Sequence, residues 1–131
     1  MSERVWIDEQ LALAVHEQLL VRHGGLAGVR DLGLLRFALA RPQQLEAYGD
    51  DMDKVTAAAA YTVAIVQNHP FADGNKRTGF VAGLLFLELN GMAFTASEEA
   101  ATEAVLALAS GQSDEGVYRA FLRDKCSPIS R

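Results

Sequence analysis

One segment of the chain, residues 69–79, concentrates residue types that could do chemistry. It reads His-Pro-Phe-Ala-Asp-Gly-Asn-Lys-Arg-Thr-Gly, and the apolar pattern on both sides of it predicts helices. Pro70 and Gly74 are expected to end the first helix, so that a second begins near Asn75. The first N–H groups of a helix have no partner within it and lie at the positive end of its dipole. We therefore expect an anion such as phosphate to bind there.

The side chains of this segment fit roles around a phosphate. Arg77 carries a planar guanidinium suited to paired hydrogen bonds with phosphate oxygens, and Lys76 adds a mobile positive charge. Asp73 offers the hard oxygen ligand that holds a magnesium ion shared with substrate phosphates. An imidazole is the usual general base near neutral pH, so His69 could accept a proton from an attacking hydroxyl. No serine or cysteine of the segment is paired with a base, which favours direct transfer from a nucleotide to an outside hydroxyl.

The same residues could instead form an ordinary connection between two helices. In that interpretation Lys76 and Arg77 are solvated residues of the first turn. Basic residues are mildly unfavourable at a helix N-terminus that holds no anion. A chance match of several fixed residues at fixed spacing is also rare, so the chemical interpretation is the stronger one.

The segment resembles the signature of the Fic superfamily, His-Pro-Phe-x-Asp/Glu-Gly-Asn-Gly-x-Arg. It is more similar still to the death-on-curing (Doc) branch, whose motif ends in Asn-Lys-Arg. Residues 22–31 resemble the Gly-Gly-Leu-x-Gly segment of that branch, and residues 84–91 also fit. The resemblance covers almost the whole chain, and it implies one Fic/Doc domain over residues 1–131.

The resemblance implies an enzyme that uses ATP and Mg²⁺. His69 would be the general base and Asp73 the magnesium ligand, and the irregular segment 42–52 would be a flap that aligns the target chain. The expected catalytic residues are His69, Lys76 and Arg77, and the expected nucleotide-binding residues are Gly74, Asn75, Lys76 and Arg77, with the backbone of Gly74 and Asn75 forming an anion hole.

Lys76 stands where most Fic enzymes have a glycine that admits the α-phosphate for AMP transfer. A lysine would crowd that pocket, and in the Doc branch the nucleotide presents its γ-phosphate instead. The resemblance therefore implies a toxin of a type II toxin–antitoxin system, which phosphorylates a serine or threonine of a translation elongation factor. AMP transfer stays open, because Gly74 keeps the pocket closer to that of the AMP-transferring enzymes. A non-catalytic partner-binding protein is the third alternative.

The activity of the toxin is expected to be inhibited by a separate chain, a small antitoxin protein. Many Fic proteins inhibit themselves with a helix that reads Ser/Thr-x-x-x-Glu-Gly/Asn. The nearest match here places Ser110 and Glu115 five residues apart rather than four. On a helix that difference turns the glutamate by about 100° away from the serine.

Composition limits the other classes of function. The 131 residues suffice for one domain with its own core, and a formal net charge of −5 argues against direct nucleic-acid binding. The single Cys126 fits a reducing cytoplasm, and neither a signal peptide nor a membrane-spanning run is found. We therefore expect a cytoplasmic protein that contacts no membrane.

Helical periodicity runs through almost the whole chain and predicts an all-α bundle of about six helices. The expected helices start after the caps Asp8, Asp31, Asp53 and Ser113 and also near Asn75 and Glu98. Residues 42–52 break the pattern and predict a loop or short hairpin, and no other strand pattern supports a sheet. His16 and His23 fit no zinc spacing and are interpreted as structural, while Thr78 stays a weak candidate for a phosphate contact.

Overall fold

The computed structural model describes residues 4–48 and 53–129, without the side chain of Tyr48. This part of the chain forms six helices and two short strands, which confirms the all-α prediction. The elements are α1 (Glu9–His23), α2 (Leu32–Tyr48), α3 (Lys54–Asn68), α4 (Asn75–Leu89), β1 (Met92–Phe94), α5 (Glu98–Ser110), α6 (Glu115–Lys125) and β2 (Cys126–Pro128). None of the helices in these ranges is both long enough and apolar enough to cross a membrane.

Acidic N-caps start most of the helices, as the sequence predicts. The carboxylate of Asp8 accepts a hydrogen bond from the third N–H of α1, and Asp31 and Asp53 do the same for α2 and α3. The prediction that Ser113 caps the last helix is wrong. Asp114 takes that place, because α6 begins at Glu115 and the Asp114 carboxylate accepts the N–H of Val117 at 2.9 Å.

Every residue of the central helix α3 from Ala57 to Val66 is buried, and the helix packs against α2, α4, α5 and α6. Gly79 and Gly83 of α4 face it at close range. A Cβ on Gly79 would lie 3.1 Å from the carbonyl oxygen of Thr62, so the two backbones touch. Because α3 ends immediately before His69 and α4 starts at Asn75, this close contact fixes the two halves of the motif relative to each other.

The predicted helix end at Pro42 is wrong, and so is the predicted loop or flap over residues 42–48. Helix α2 continues through Pro42 to Tyr48. A proline inside a helix removes one backbone hydrogen bond, and here the helix survives because Pro42 is buried and both Leu39 and Leu45 pack against the core. Residues 49–52, the remainder of the predicted flap, lie outside the described residues.

A small sheet was also missed by the sequence reasoning. Strands β1 and β2 pair antiparallel, with Ala93 opposite Ser127. Each strand has three residues, too few to show an alternating pattern. The pairing holds Phe94 between the rings of Phe80 and Phe121, each with a centroid distance of 5.9 Å, and so builds one wall of the site described next.

Candidate active site

A cleft of about 890 Å³ opens between the start of α4 and the start of α5. All six residues that the sequence singled out, His69, Asp73, Gly74, Asn75, Lys76 and Arg77, line one side of it. The other side is mainly apolar and includes Phe94, Ala101 and Val105. The structure therefore brings the predicted site residues together, with room beside them for a ligand of nucleotide size.

The start of α4 supplies free N–H donors. Gly74 is the N-cap in the left-handed conformation, with φ of 77°, and it has no side chain to cap the helix. The first backbone hydrogen bond of the helix is donated by the N–H of Thr78 to the carbonyl oxygen of Gly74, at 2.9 Å. Across the described ranges, the N–H groups of Asn75, Lys76 and Arg77 have no backbone or side-chain acceptor. An anion in the cleft would satisfy these donors.

The Asn75 side chain holds the motif loop closed. Its Oδ1 accepts the N–H of Phe71 at 2.9 Å, and its Nδ2 donates to the carbonyl oxygen of the same residue at 3.0 Å. Both ends of the amide are thereby occupied within the loop. The backbone N–H of Asn75 has no acceptor among the described residues, which fits the backbone role expected from the sequence.

Asp73 is exposed but held in one orientation. Its Oδ2 accepts the N–H of Leu26 at 3.1 Å and its Oδ1 that of Gly74 at 2.9 Å. These two hydrogen bonds lower the pKa of Asp73, with smaller contributions from the charges of His16 and Arg77. Each carboxylate oxygen keeps lone-pair capacity on the side away from its N–H donor. The group is therefore an ionised, oriented oxygen ligand.

Within the described residues, Asp73 has no companions that would complete a metal site, since no group of three or more His, Cys, Asp or Glu side chains converges. Magnesium commonly takes one or two carboxylates and fills its shell with water and substrate phosphates. The donor set at Asp73 fits that mode, in which the ion and the nucleotide bind together.

His69 is the C-cap of α3 and its ring is exposed to the cleft. Its backbone has φ of 51° and ψ of 56°, the left-handed region that side chains with a Cβ rarely adopt. No side chain of the described residues hydrogen-bonds its imidazole. The ring is thus free to meet a substrate hydroxyl.

Lys76 and Arg77 are exposed along the same wall of the cleft. Among the described residues neither forms a salt bridge. Lys76 also lines a neighbouring cavity of about 740 Å³, together with Glu103 and Leu106. Its side chain therefore lies at the border of two cavities.

The residues between α1 and α2, here called the α1–α2 segment (residues 24–31), brace the motif from outside. Val29 forms a β-bridge with Phe71, and the N–H of Ala72 donates to the carbonyl oxygen of Gly28 at 3.0 Å. Gly25 has a φ of 121°, which favours glycine, and a Cβ there would lie 2.9 Å from Oδ2 of Asp73 and so would displace that carboxylate. Sequence reasoning noted this segment by its resemblance to the Doc branch, but gave it no role.

His16 is buried and supports the loop from below. Its Nε2 lies 2.8 Å from the carbonyl oxygen of Asp73, and its ring stacks on Phe71 with centroids 3.9 Å apart. The structural interpretation of His16 is thereby confirmed, whereas His23 lines the cleft near His69. Thr78 is fully buried and does not line the cleft.

Ser110 and Glu115 do not share a helix. Ser110 is the last residue of α5 and Glu115 the first of α6. This separation agrees with the rejection of residues 110–116 as a self-inhibitory helix.

The described part of the chain is a helical domain in which unpartnered N–H groups at a glycine-capped helix start lie beside an exposed histidine and an oriented carboxylate. The model of the Fic/DOC family matches residues 6–87, and the chain belongs to this family. The resemblance seen in the sequence is thus confirmed.

Two named relatives fall in the Doc branch of this family. The chain is 37% identical over 95 residues to "Protein kinase doc" of Escherichia phage P1, a match that covers 72% of this chain and 75% of the relative. It is 42% identical over 80 residues to "Toxin Doc" of Mycolicibacterium smegmatis, covering 58% of this chain and 59% of that protein.

Proposed function

We propose that this chain is the toxin of a type II toxin–antitoxin system and acts as a protein kinase. It transfers the γ-phosphate of ATP to a serine or threonine hydroxyl of a target in the translation machinery, an elongation factor. The names of its two relatives, a protein kinase and a toxin, support both halves of the proposal. The chemistry of the cleft supports phosphoryl transfer.

In the proposed reaction, His69 accepts the proton of the target hydroxyl. The hydroxyl oxygen attacks the γ-phosphorus, the bond from that phosphorus to the β–γ bridging oxygen breaks, and ADP leaves. The free N–H groups at the start of α4 and the guanidinium of Arg77 bind the phosphate oxygens, where charge develops in the transition state. Lys76 adds a second positive charge from the same turn.

Asp73 is the residue proposed to hold Mg²⁺. The ion, when bound, neutralises phosphate charge and orients the oxygens for in-line transfer. Asp73 suits this role because the N–H groups of Leu26 and Gly74 keep it ionised and in one orientation. The rest of the coordination shell would come from the nucleotide and water.

One observation carries the proposal: an exposed imidazole, an oriented carboxylate and unpartnered helix N–H groups face the same cleft. The test incubates the chain with a cell extract and either γ-labelled or α-labelled ATP, followed by intact-mass analysis of the labelled protein. Label from the γ-position alone is expected, on a serine or threonine. Label from neither position would leave only a non-catalytic binding role.

AMP transfer is the second candidate, and the position of Lys76 favours it. Because that side chain is exposed and also lines a neighbouring cavity, it has room to lie outside the part of the cleft where an α-phosphate would enter. AMP transfer would place the α-label on the target hydroxyl, so the same experiment separates the two reactions.

A small antitoxin is the proposed partner, acting in the cytoplasm. The separation of Ser110 from Glu115 supports restraint by another chain. Expression of this chain alone should stop growth, and co-expression of the protein encoded beside it should restore growth. Normal growth with soluble, active protein would contradict the toxin proposal while leaving the enzyme activity intact.

A further inference from the structure

Arg30 links the α1–α2 segment to the end of the helix that precedes His69. Its Nε donates to the carbonyl oxygen of His69 at 2.7 Å, and its Nη2 donates to that of Asn68 at 2.8 Å. Carbonyl oxygens at a helix C-terminus have no partner within the helix and lie at the negative end of its dipole. A planar guanidinium binds two of them in a fixed relative orientation.

The backbone of Arg30 extends this contact by one residue. The N–H of Arg30 donates to the carbonyl oxygen of Pro70 at 2.7 Å, and the N–H of Asp31 donates to the same oxygen at 3.0 Å. Three consecutive carbonyl groups, those of residues 68, 69 and 70, are thus held from one place in the α1–α2 segment. His69 is the middle one.

His69 needs such support because its backbone conformation is unfavourable for two reasons. It is the only non-glycine residue with positive φ in the described ranges. It also precedes Pro70, and a residue before proline prefers an extended backbone. Strained conformations of this kind persist only when neighbouring groups hold them.

We propose that Arg30 is a positioning residue for the general base. It holds the His69 backbone in the left-handed conformation that directs the imidazole into the cleft. The role assigned to His69 rests on the proposed function, whereas the effect of Arg30 on the His69 backbone does not. Arg30 acts through the His69 carbonyl and contributes nothing to nucleotide binding, which takes place at the start of α4.

The kinetic test compares Arg30→Ala with wild type in the γ-label transfer assay. A misplaced base should lower kcat by roughly 10- to 100-fold, with KM for ATP unchanged within about twofold. Arg30→Lys, which offers one compact donor group, should recover part of kcat. The matched control is Arg36→Ala, which removes an exposed arginine bonded to Glu9 at 2.8 Å and no contact to the motif. Equal kcat for the Arg30→Ala and Arg36→Ala variants would overturn the proposal.

A double-mutant cycle separates positioning of the base from general destabilisation. If Arg30 acts through the imidazole, Arg30→Ala should cost no further rate once His69 is already alanine. Full additivity of the two losses would assign Arg30 a role unrelated to the base and would refute the inference.

A second test measures the backbone conformation of His69 by NMR and requires no enzyme activity. It therefore tests the role of Arg30 even if the chain does not transfer phosphate. In labelled protein, the three-bond H–N–C–H coupling and the Cα chemical shift of His69 report its φ angle. Both should leave the left-handed range in Arg30→Ala and stay in it in Arg36→Ala. Should the alanine variant not fold, Arg30→Gln, which keeps one donor group, is measured instead. Unchanged His69 values in the folded variant would overturn the proposal.

Discussion

Replacing Gly83 by alanine should weaken the fold through one specific contact. The new Cβ would overlap Oγ1 of Thr62 and lie 2.9 Å from the carbonyl oxygen of Ala58. That carbonyl belongs to the backbone of the central helix α3, so it cannot rotate away. The Thr62 hydroxyl donates to the carbonyl oxygen of Gly79 at 2.7 Å, and the overlap would also displace this buried hydrogen bond.

The expected change in the free energy of unfolding is the sum of three contributions. Alanine in a helix is favoured over glycine by about 1 kcal/mol. Overpacking a well-filled interface costs about 1–3 kcal/mol, and the lost hydrogen bond about 1 kcal/mol more. The free energy of unfolding should therefore fall by about 1–3 kcal/mol, which lowers Tm by roughly 4 °C per kcal/mol for a chain of this size.

The same substitution should reduce activity, since the contact joins the two halves of the site. Helix α3 leads into His69, the proposed base, and α4 starts at the proposed phosphate-binding N–H groups, so separating the helices would move one relative to the other. A misplacement approaching 1 Å costs up to about 100-fold in rate. The expected loss is in kcat, measured at a temperature where the variant is fully folded.

Urea unfolding followed by circular dichroism measures the stability change, with Gly116→Ala as the matched control. Gly116 is an exposed helical glycine whose added Cβ would meet only side-chain atoms, the nearest being Oδ1 of Asp114 at 3.3 Å. That variant should be as stable as wild type or more stable by up to about 1 kcal/mol. If Gly83→Ala matches it, the close contact between α3 and α4 does not limit stability and the reasoning fails.

Three further predictions concern the motif itself. His69→Ala should lower the transfer rate by roughly 10²- to 10⁴-fold, because the general base is lost. ATP should still bind, which calorimetry measures. Full toxicity of the variant in cells that contain it at the normal level would contradict the general-base role. Lys76→Gly removes a side chain that lines the cleft, so γ-label transfer should fall and α-label transfer should appear. An unchanged labelling pattern would show that Lys76 does not select the reaction. Hydrogen bonds from Leu26 and Gly74 lower the pKa of Asp73 below its usual 3.8. Its ionised form therefore stabilises the fold above that pH, and the contribution is lost as the pH falls through the lowered pKa. Asp73→Asn should accordingly flatten the fall in urea midpoint below pH 3.8, and an identical fall in both proteins would refute this.

The sequence predicts the helices and the motif well because both depend on local signals. Asp8, Asp31 and Asp53 cap helices where a carboxylate precedes a periodic apolar pattern, and the described structure has each of them in that role. The six cleft residues lie within nine positions of one another, so their convergence needs only the turn before Asn75.

The errors arise where distant contacts override local preference. A proline usually ends or kinks a helix, but the burial of Pro42 against the core lets α2 continue to Tyr48. The β1–β2 pair joins residues more than thirty positions apart, between strands too short to be recognised. The contacts of Arg30 and Gly25 with the motif likewise span about forty residues or more, and no local pattern indicates them.

The order of the elements along the chain also determines when the cleft can form. The motif is braced by the α1–α2 segment, which precedes it by about forty residues, so both are available early in synthesis. The opposite wall, with Phe94, Ala101 and Val105, is synthesised after the motif, and β1 stays unpaired until residues 126–128 are made. A ribosome-bound chain ending before α5 therefore has the motif without the cleft that would hold a nucleotide. The cleft therefore forms only after both of its walls have been synthesised.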